Sequence, residues 1–193
     1  TLSISVDSTV YAVAGLDKQV CIDSVQVQID GLPITGTWSG SGISSTGLYT
    51  ISVVDTFDFV FTYGSGNCLT RDTMELIVNP LPIVDAGIDF AVCVDDTIQI
   101  LNGSPLGGSW SGNGITNSVG YFSPDLAGVG LHTLTYYYLD SNGCDQIDTR
   151  DIMVNSLPTP DAGIDTTICD QLIAVSYNST PLGGYWTGTG IDS

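Results

Sequence analysis

Positive charge is almost missing from this chain. Lys18, Arg71 and Arg150 are its only basic residues, against 21 acidic ones, and the formal net charge is −18. A surface this acidic repels nucleic-acid phosphates and anionic lipid, so neither is an expected partner. No apolar run is long enough to span a bilayer as a helix, and membrane insertion is not expected. Histidine is scarcer still: His132 stands alone, on a strand-like stretch. A general base needs a positioned partner and a pocket, and no serine has the strand-turn-helix context of an activated nucleophile. The chain is therefore read as no enzyme. Close Cys-x-x-Cys pairs are absent too, which argues against a structural zinc site.

What the sequence does have is repetition. Gly107-Gly108-Ser109-Trp110-Ser111-Gly112-Asn113-Gly114-Ile115 occurs in related form at Trp38-Ser39-Gly40-Ser41-Gly42-Ile43 and at Gly183-Gly184-Tyr185-Trp186-Thr187-Gly188-Thr189-Gly190-Ile191. Trp38, Trp110 and Trp186 are thus almost evenly spaced along the chain. A Trp-x-Gly-x-Gly-Ile core at near-constant spacing marks a tandem-repeat protein with one small domain per period. The expected division is 1–9 as the last strand of a preceding repeat, 10–80 and 81–156 as complete repeats, and 157–193 as the N-terminal part of a further one. The sequence is accordingly read as a segment of a longer chain.

Five cysteines fall into two repeat positions. Cys21, Cys93 and Cys169 share the first, and Cys68 and Cys144 share the second. The simplest pairing is one disulfide per domain, Cys21–Cys68 and Cys93–Cys144, with Cys169 left unpaired by truncation. Regular disulfides imply an oxidising, exported setting. A domain of this size has a thin core, and closing such a loop contributes about 4 kcal/mol on the chain-entropy model.

Strand signals run throughout. Leu76 and Val78, then Ile152 and Val154, alternate as half-buried strands do, and each run ends in a proline-rich junction, Asn79-Pro80-Leu81-Pro82 or Asn155-Ser156-Leu157-Pro158-Thr159-Pro160. Proline stiffens these linkers, so a rod of domains is expected. Val25-Gln26-Val27-Gln28-Ile29 alternates cleanly, whereas Thr97-Ile98-Gln99-Ile100-Leu101 breaks parity and predicts a bulge or register change. Leu131–Tyr138 and Phe57–Phe61 are the strongest strands, with their mutual register open by one residue. About seven short strands per unit, turn residues between them and no helical period predict an all-β fold of tandem immunoglobulin-like sandwiches. Sandwiches commonly bury one tryptophan against an inter-sheet disulfide, so Trp38, Trp110 and Trp186 are expected to be core pins beside the disulfides.

The succession Pro-x-x-Asp-Ala-Gly-x-Asp, Cys, Gly-Gly-x-Trp-x-Gly-x-Gly-Ile, Ala-Gly-x-Gly, Leu-Thr-Tyr and Gly-Cys resembles the Ig-like (PKD-like) repeats of very large Bacteroidota surface proteins. These are exported by the type IX system, and gliding-motility adhesins of the SprB type are the best-known relatives. The first unit departs from the pattern, with Val13 in place of Asp85 and Asp161 and no Ala-Gly-x-Gly turn. The resemblance implies an extracellular, cell-surface location, a stalk or adhesin role and no catalytic residues. It also implies O-glycosylation at Asp-Ser/Thr motifs, here Ser8, Ser24, Thr73, Thr97 and Thr166, which would make the protein a glycoprotein.

Two readings compete for the aspartates near the linkers. Asp85, Asp89, Asp95 and Asp96, with Asp161, Asp165 and Asp170 as counterparts, are candidate calcium ligands that would stiffen a junction. Alternatively they cap turns and solvate the surface; the first unit, with only Asp17 and Asp23, favours this. The functional expectation is a structural stalk or spacer of a large cell-surface adhesin or filament, serving surface adhesion or gliding motility. Its partners are then neighbouring repeats, with any surface polysaccharide or other ligand bound by regions outside this segment. The alternative is a carbohydrate-binding or accessory module of a secreted polysaccharide-degrading enzyme, which a solvent-exposed Trp110 face with neighbouring polar groups would favour.

Overall fold

The computed structural model describes residues 10–169 and 174–191. The expected strand at 1–9, Ser8 and Asp170 lie outside the described residues. Two sandwiches follow one another. In the first, β1 (Lys18–Cys21), β6 (Thr70–Asn79), β5 (Thr56–Tyr63) and β3 (Thr37–Ser39) form one sheet in that order, and β2 (Gln26–Gln28) pairs with β4 (Leu48–Thr50) in the other. In the second, β7 (Phe90–Cys93), β13 (Asp145–Asn155), β12 (Gly130–Leu139) and β9 (Ser109–Ser111) repeat the larger sheet. The smaller sheet gains a strand: β10 (Ile115–Asn117), β11 (Tyr121–Phe122) and β8 (Gln99–Ile100). The first unit thus has six strands and the second seven, and one helical turn, Pro124–Ala127, leads into the expected Ala-Gly-x-Gly turn.

Each larger sheet is built on one long antiparallel hairpin, β5–β6 or β12–β13. Period-two alternation there sends Phe59, Phe61, Met74, Leu76 and Val78 into one core and Leu134, Tyr136, Ile152 and Val154 into the next. Burying each of these side chains contributes about 2 kcal/mol. The open register is settled by the tryptophans. Trp38 pairs with Phe61 and Trp110 with Tyr136, which matches those two residues and leaves Tyr137 partly exposed.

The parity break at 97–101 is neither a bulge nor a register change. Leu101 N donates to Gly120 O at 2.8 Å as Ile29 N donates to Gly47 O at 2.9 Å. Ile98 and Ile100 simply face outward, and the register shift lies instead between Ile115 and Asn117.

The edge strands β1 and β7 run parallel to the ends of β6 and β13, placing Cys21 opposite Asn79 and Cys93 opposite Asn155. That placement fixes which pole of each sandwich carries which cysteine.

Candidate functional site: the stapled junction

The Ala-Gly-x-Asp motif enters each sandwich and is held by carboxylates. Ala14 and Ala86 are buried, and their N–H groups donate to Asp72 Oδ2 and Asp148 Oδ2 at 2.8 and 2.7 Å. The glycines that follow, Gly15, Gly87 and Gly163, have φ of 84°, 83° and 83°, a left-handed turn that a side chain resists. The motif's last aspartates, Asp17 and Asp89, accept from the backbone N–H of Glu75 and Asp151. Sequence reasoning gave Asp72 and Asp148 no such role, although they are separated by the same step as Trp110 and Trp186, which was the available signal. Asp148→Ala strands the Ala86 N–H, and a loss of about 1–3 kcal/mol is expected. Urea unfolding, with amide exchange at Ala86 rising in parallel, is the check.

Three of the four calcium candidates each accept a backbone N–H through one carboxylate oxygen. Asp85 Oδ1 accepts from Gly87 N at 2.7 Å, Asp96 Oδ2 from Cys93 N at 2.8 Å, and Asp89 Oδ1 from Asp151 N at 2.9 Å, while Asp95 is exposed. Among the described residues no three potential ligands converge. A cation already stands beside two of them. The Arg150 guanidinium lies 4.6 Å over the Phe90 ring, and burial lowers its pKa while the charges of Asp89 and Asp85 oppose that shift. His132 is likewise occupied. Its Nε2–H donates to Gly128 O at 2.7 Å, and Nδ1 accepts from Asn113 Nδ2 at 3.3 Å, tying β12 to the helical turn.

Trp38 and Trp110 are core pins, 5% and 3% exposed, with Phe61 and Tyr136 rings each 5.0 Å away. Their neighbours are these aromatics and not a disulfide, which corrects that part of the expectation. Gly120 sits against the indole edge, where a Cβ would come within 2.6 Å of the Trp110 ring. Trp186 is 39% exposed and meets Tyr177 at 5.8 Å. Among the described residues after 156, no strand corresponds to those that cover the other two tryptophans. Of the glycosylation candidates, Thr73, Thr97 and Thr166 are exposed and Ser24 is half-buried.

The largest correction concerns the cysteines. Cys21 is bonded to Cys144, across 123 residues and from one sandwich to the other, with Cα atoms 5.6 Å apart. Cys68, Cys93 and Cys169 are free. Pairing within a sandwich fails on distance. Cys21 faces the last residue of β6 and Cys68 precedes its first, so roughly 30 Å of strand separates them. A disulfide tolerates Cα atoms no more than about 7 Å apart. The same holds for Cys93, opposite Asn155, and Cys144, at the start of β13. The bonded pair instead joins the exit pole of the first sandwich to the β12–β13 hairpin tip of the second. Asp140 shapes that tip, its Oδ1 accepting from Asn142 N and Cys144 N, each at 2.8 Å. Alkylation without reduction of these 193 residues produced on their own is therefore expected to modify three of five cysteines. Modification of one alone would restore pairing within each sandwich.

Sheet order, core and the buried tryptophan define tandem immunoglobulin-like β-sandwiches. Extracellular domains 3–5 of Drosophila OTK align over 72% of this chain and 59% of theirs, with 12% identity and a TM-score of 0.38. Sidekick-1 immunoglobulin domains 1–5 align over 80% and 41%, with 14% identity and a TM-score of 0.37. For Drosophila N-cadherin EC1-4 the values are 76%, 50%, 10% and 0.27. The chain thus spans between 41% and 59% of the length of these structures. No protein-family model matches it, and no curated protein does. No helix among the described residues is long and apolar enough to cross a membrane.

Proposed function

We propose that this chain is a load-carrying spacer segment of a large cell-surface adhesin or filament. One observation carries the reading: successive sandwiches are joined twice, by the linker from Asn79 and by the Cys21–Cys144 bond. A single flexible linker leaves neighbouring domains free to swing, whereas two tethers restrict both bending and twist. The acidic surface keeps such an array from self-association. The repeat motifs support placement on an exported Bacteroidota-type surface protein, with gliding or adhesion as its use, type IX secretion as its route and O-glycans on exposed threonines.

The carbohydrate-module alternative loses its platform at Trp38 and Trp110, whose indoles are buried. Electron microscopy of cells labelled with antibody to this segment tests the proposal. Label is expected along extended surface filaments. Label on a compact secreted particle, together with retardation of the chain in polysaccharide-containing gels, would sink it.

A further inference from the structure

Cys68 and Cys93 repeat the two halves of the observed staple. Cys93 matches Cys21 in detail. Each ends an edge strand opposite the asparagine that closes the last strand. Ile22 N and Val94 N donate to Asn79 O and Asn155 O, each at 2.9 Å. The turn after each cysteine is the same, Ser24 N to Cys21 O at 3.0 Å and Asp96 N to Cys93 O at 3.1 Å. Cys68 corresponds to Cys144 in place, since each lies in the turn of the long hairpin shortly before its second strand: Cys68 ends a short 3-10 turn, Gly66–Cys68, two residues before Thr70, and Cys144 directly precedes Asp145. Beyond the second linker the chain re-enters the same geometry. Asp161 bridges Thr180 as Asp85 bridges Ser104, and Gly163 N donates to Asp161 Oδ1 at 2.8 Å as Gly87 N does to Asp85 Oδ1 at 2.7 Å.

We propose that Cys68 and Cys93 are junction half-sites whose partners are flanking copies of the repeat. Cys93 bonds the hairpin-tip cysteine of a repeat that follows, and Cys68 bonds the edge-strand cysteine of a repeat that precedes. The inference rests on the spacer reading and specifies its covalent structure. Each bond forms by exchange with the disulfide of an oxidising thiol–disulfide carrier. Two protein thiols give up two protons and two electrons, one S–S bond forms between them, and the carrier's S–S bond becomes two thiols.

The consequence is mechanical. Cys68 and Cys93 both lie inside the loop closed by Cys21–Cys144, so successive loops overlap along the sequence. Tension entering at a hairpin tip runs down the last strand, through the proline linker and out at the next edge-strand cysteine. The segments Cys68–Cys93 and Cys144–Cys169 are equal in length by their numbering. Two such paths alternate between repeats, and the rest of each sandwich is shielded from covalent load.

Non-reducing peptide mapping of the protein as its cell exports it, alkylated before digestion, tests the assignment. The Cys93 peptide is expected in disulfide linkage with a hairpin-tip peptide of the next repeat, and the Cys68 peptide with an edge-strand peptide of the previous one. Alkylated Cys68 and Cys93, or Cys21–Cys68 and Cys93–Cys144 linkages, would overturn it. Electron microscopy of the same preparation separates this from the spacer reading. Filaments with alkylated cysteines sink the staple alone, and correctly linked peptides in a compact particle sink the spacer alone.

Discussion

Pulled by its two ends until both sandwiches unravel, this chain is expected to extend much less with the Cys21–Cys144 bond intact than after reduction. The bond spans 123 residues. At about 3.3–3.6 Å per extended residue, the contour hidden inside the loop is roughly 400 Å. With the bond in place, force passes from the entry strand through Cys21 to Cys144 and on along β13. The first linker, Asn79-Pro80-Leu81-Pro82, then lies in the shielded loop. Optical tweezers with and without a thiol reductant read the difference directly, and Cys21→Ser is expected to behave as the reduced chain. Equal extensions in both conditions would show that the inter-sandwich bond does not form. Closing this loop also contributes about 5 kcal/mol on the chain-entropy model, somewhat more than the shorter loops within each sandwich would.

The fold was legible because its two strongest signals are local. Period-two alternation in Leu131–Tyr138 and Thr70–Asn79 needs no knowledge of distant contacts, and the tryptophan spacing marks the period. The Trp38 and Trp110 roles follow from the habit of such sandwiches of burying one tryptophan each. The register of the tyrosines was not legible, because three consecutive tyrosines read the same on either face. The cross-strand partner decides it, and Trp110 selects Tyr136.

The junction was hidden for a different reason. Two cysteines in one repeat look like a pair when only sequence distance is considered, yet a ten-residue strand carries its ends to opposite poles of the sheet. Whether Cys21 sits beside Cys68 or beside Asn79 depends on β1 running parallel to β6, and the sequence of a four-residue edge strand does not reveal that pairing. The aspartates were ambiguous for a related reason. A carboxylate that accepts a backbone N–H from 62 residues away, as Asp148 and Asp89 do, has the same local sequence as one waiting for a cation.

Trp110→Ala is expected to unfold the second sandwich or bring it to the margin while leaving the first in place. Removing a buried indole costs about 3–5 kcal/mol through lost transfer energy and the cavity left behind, against a total of about 5–15 kcal/mol for a natural domain. At about 4–8 °C per kcal/mol for a domain of this length, the second transition falls by at least about 12 °C. The cavity cannot close readily. Tyr136 opposite the indole is itself anchored, its hydroxyl accepting from Gly108 N and donating to Pro105 O, and Gly120 backs the ring on another side. Because the two cores share no residue, Trp38→Ala is expected to lower the other transition instead, and Trp186→Ala, at a half-exposed site, to lower neither comparably. Calorimetry of the three variants reads all of this in one series. Should Trp110→Ala melt like the parent and lose affinity for a polysaccharide, the indole would be a binding surface and not a pin.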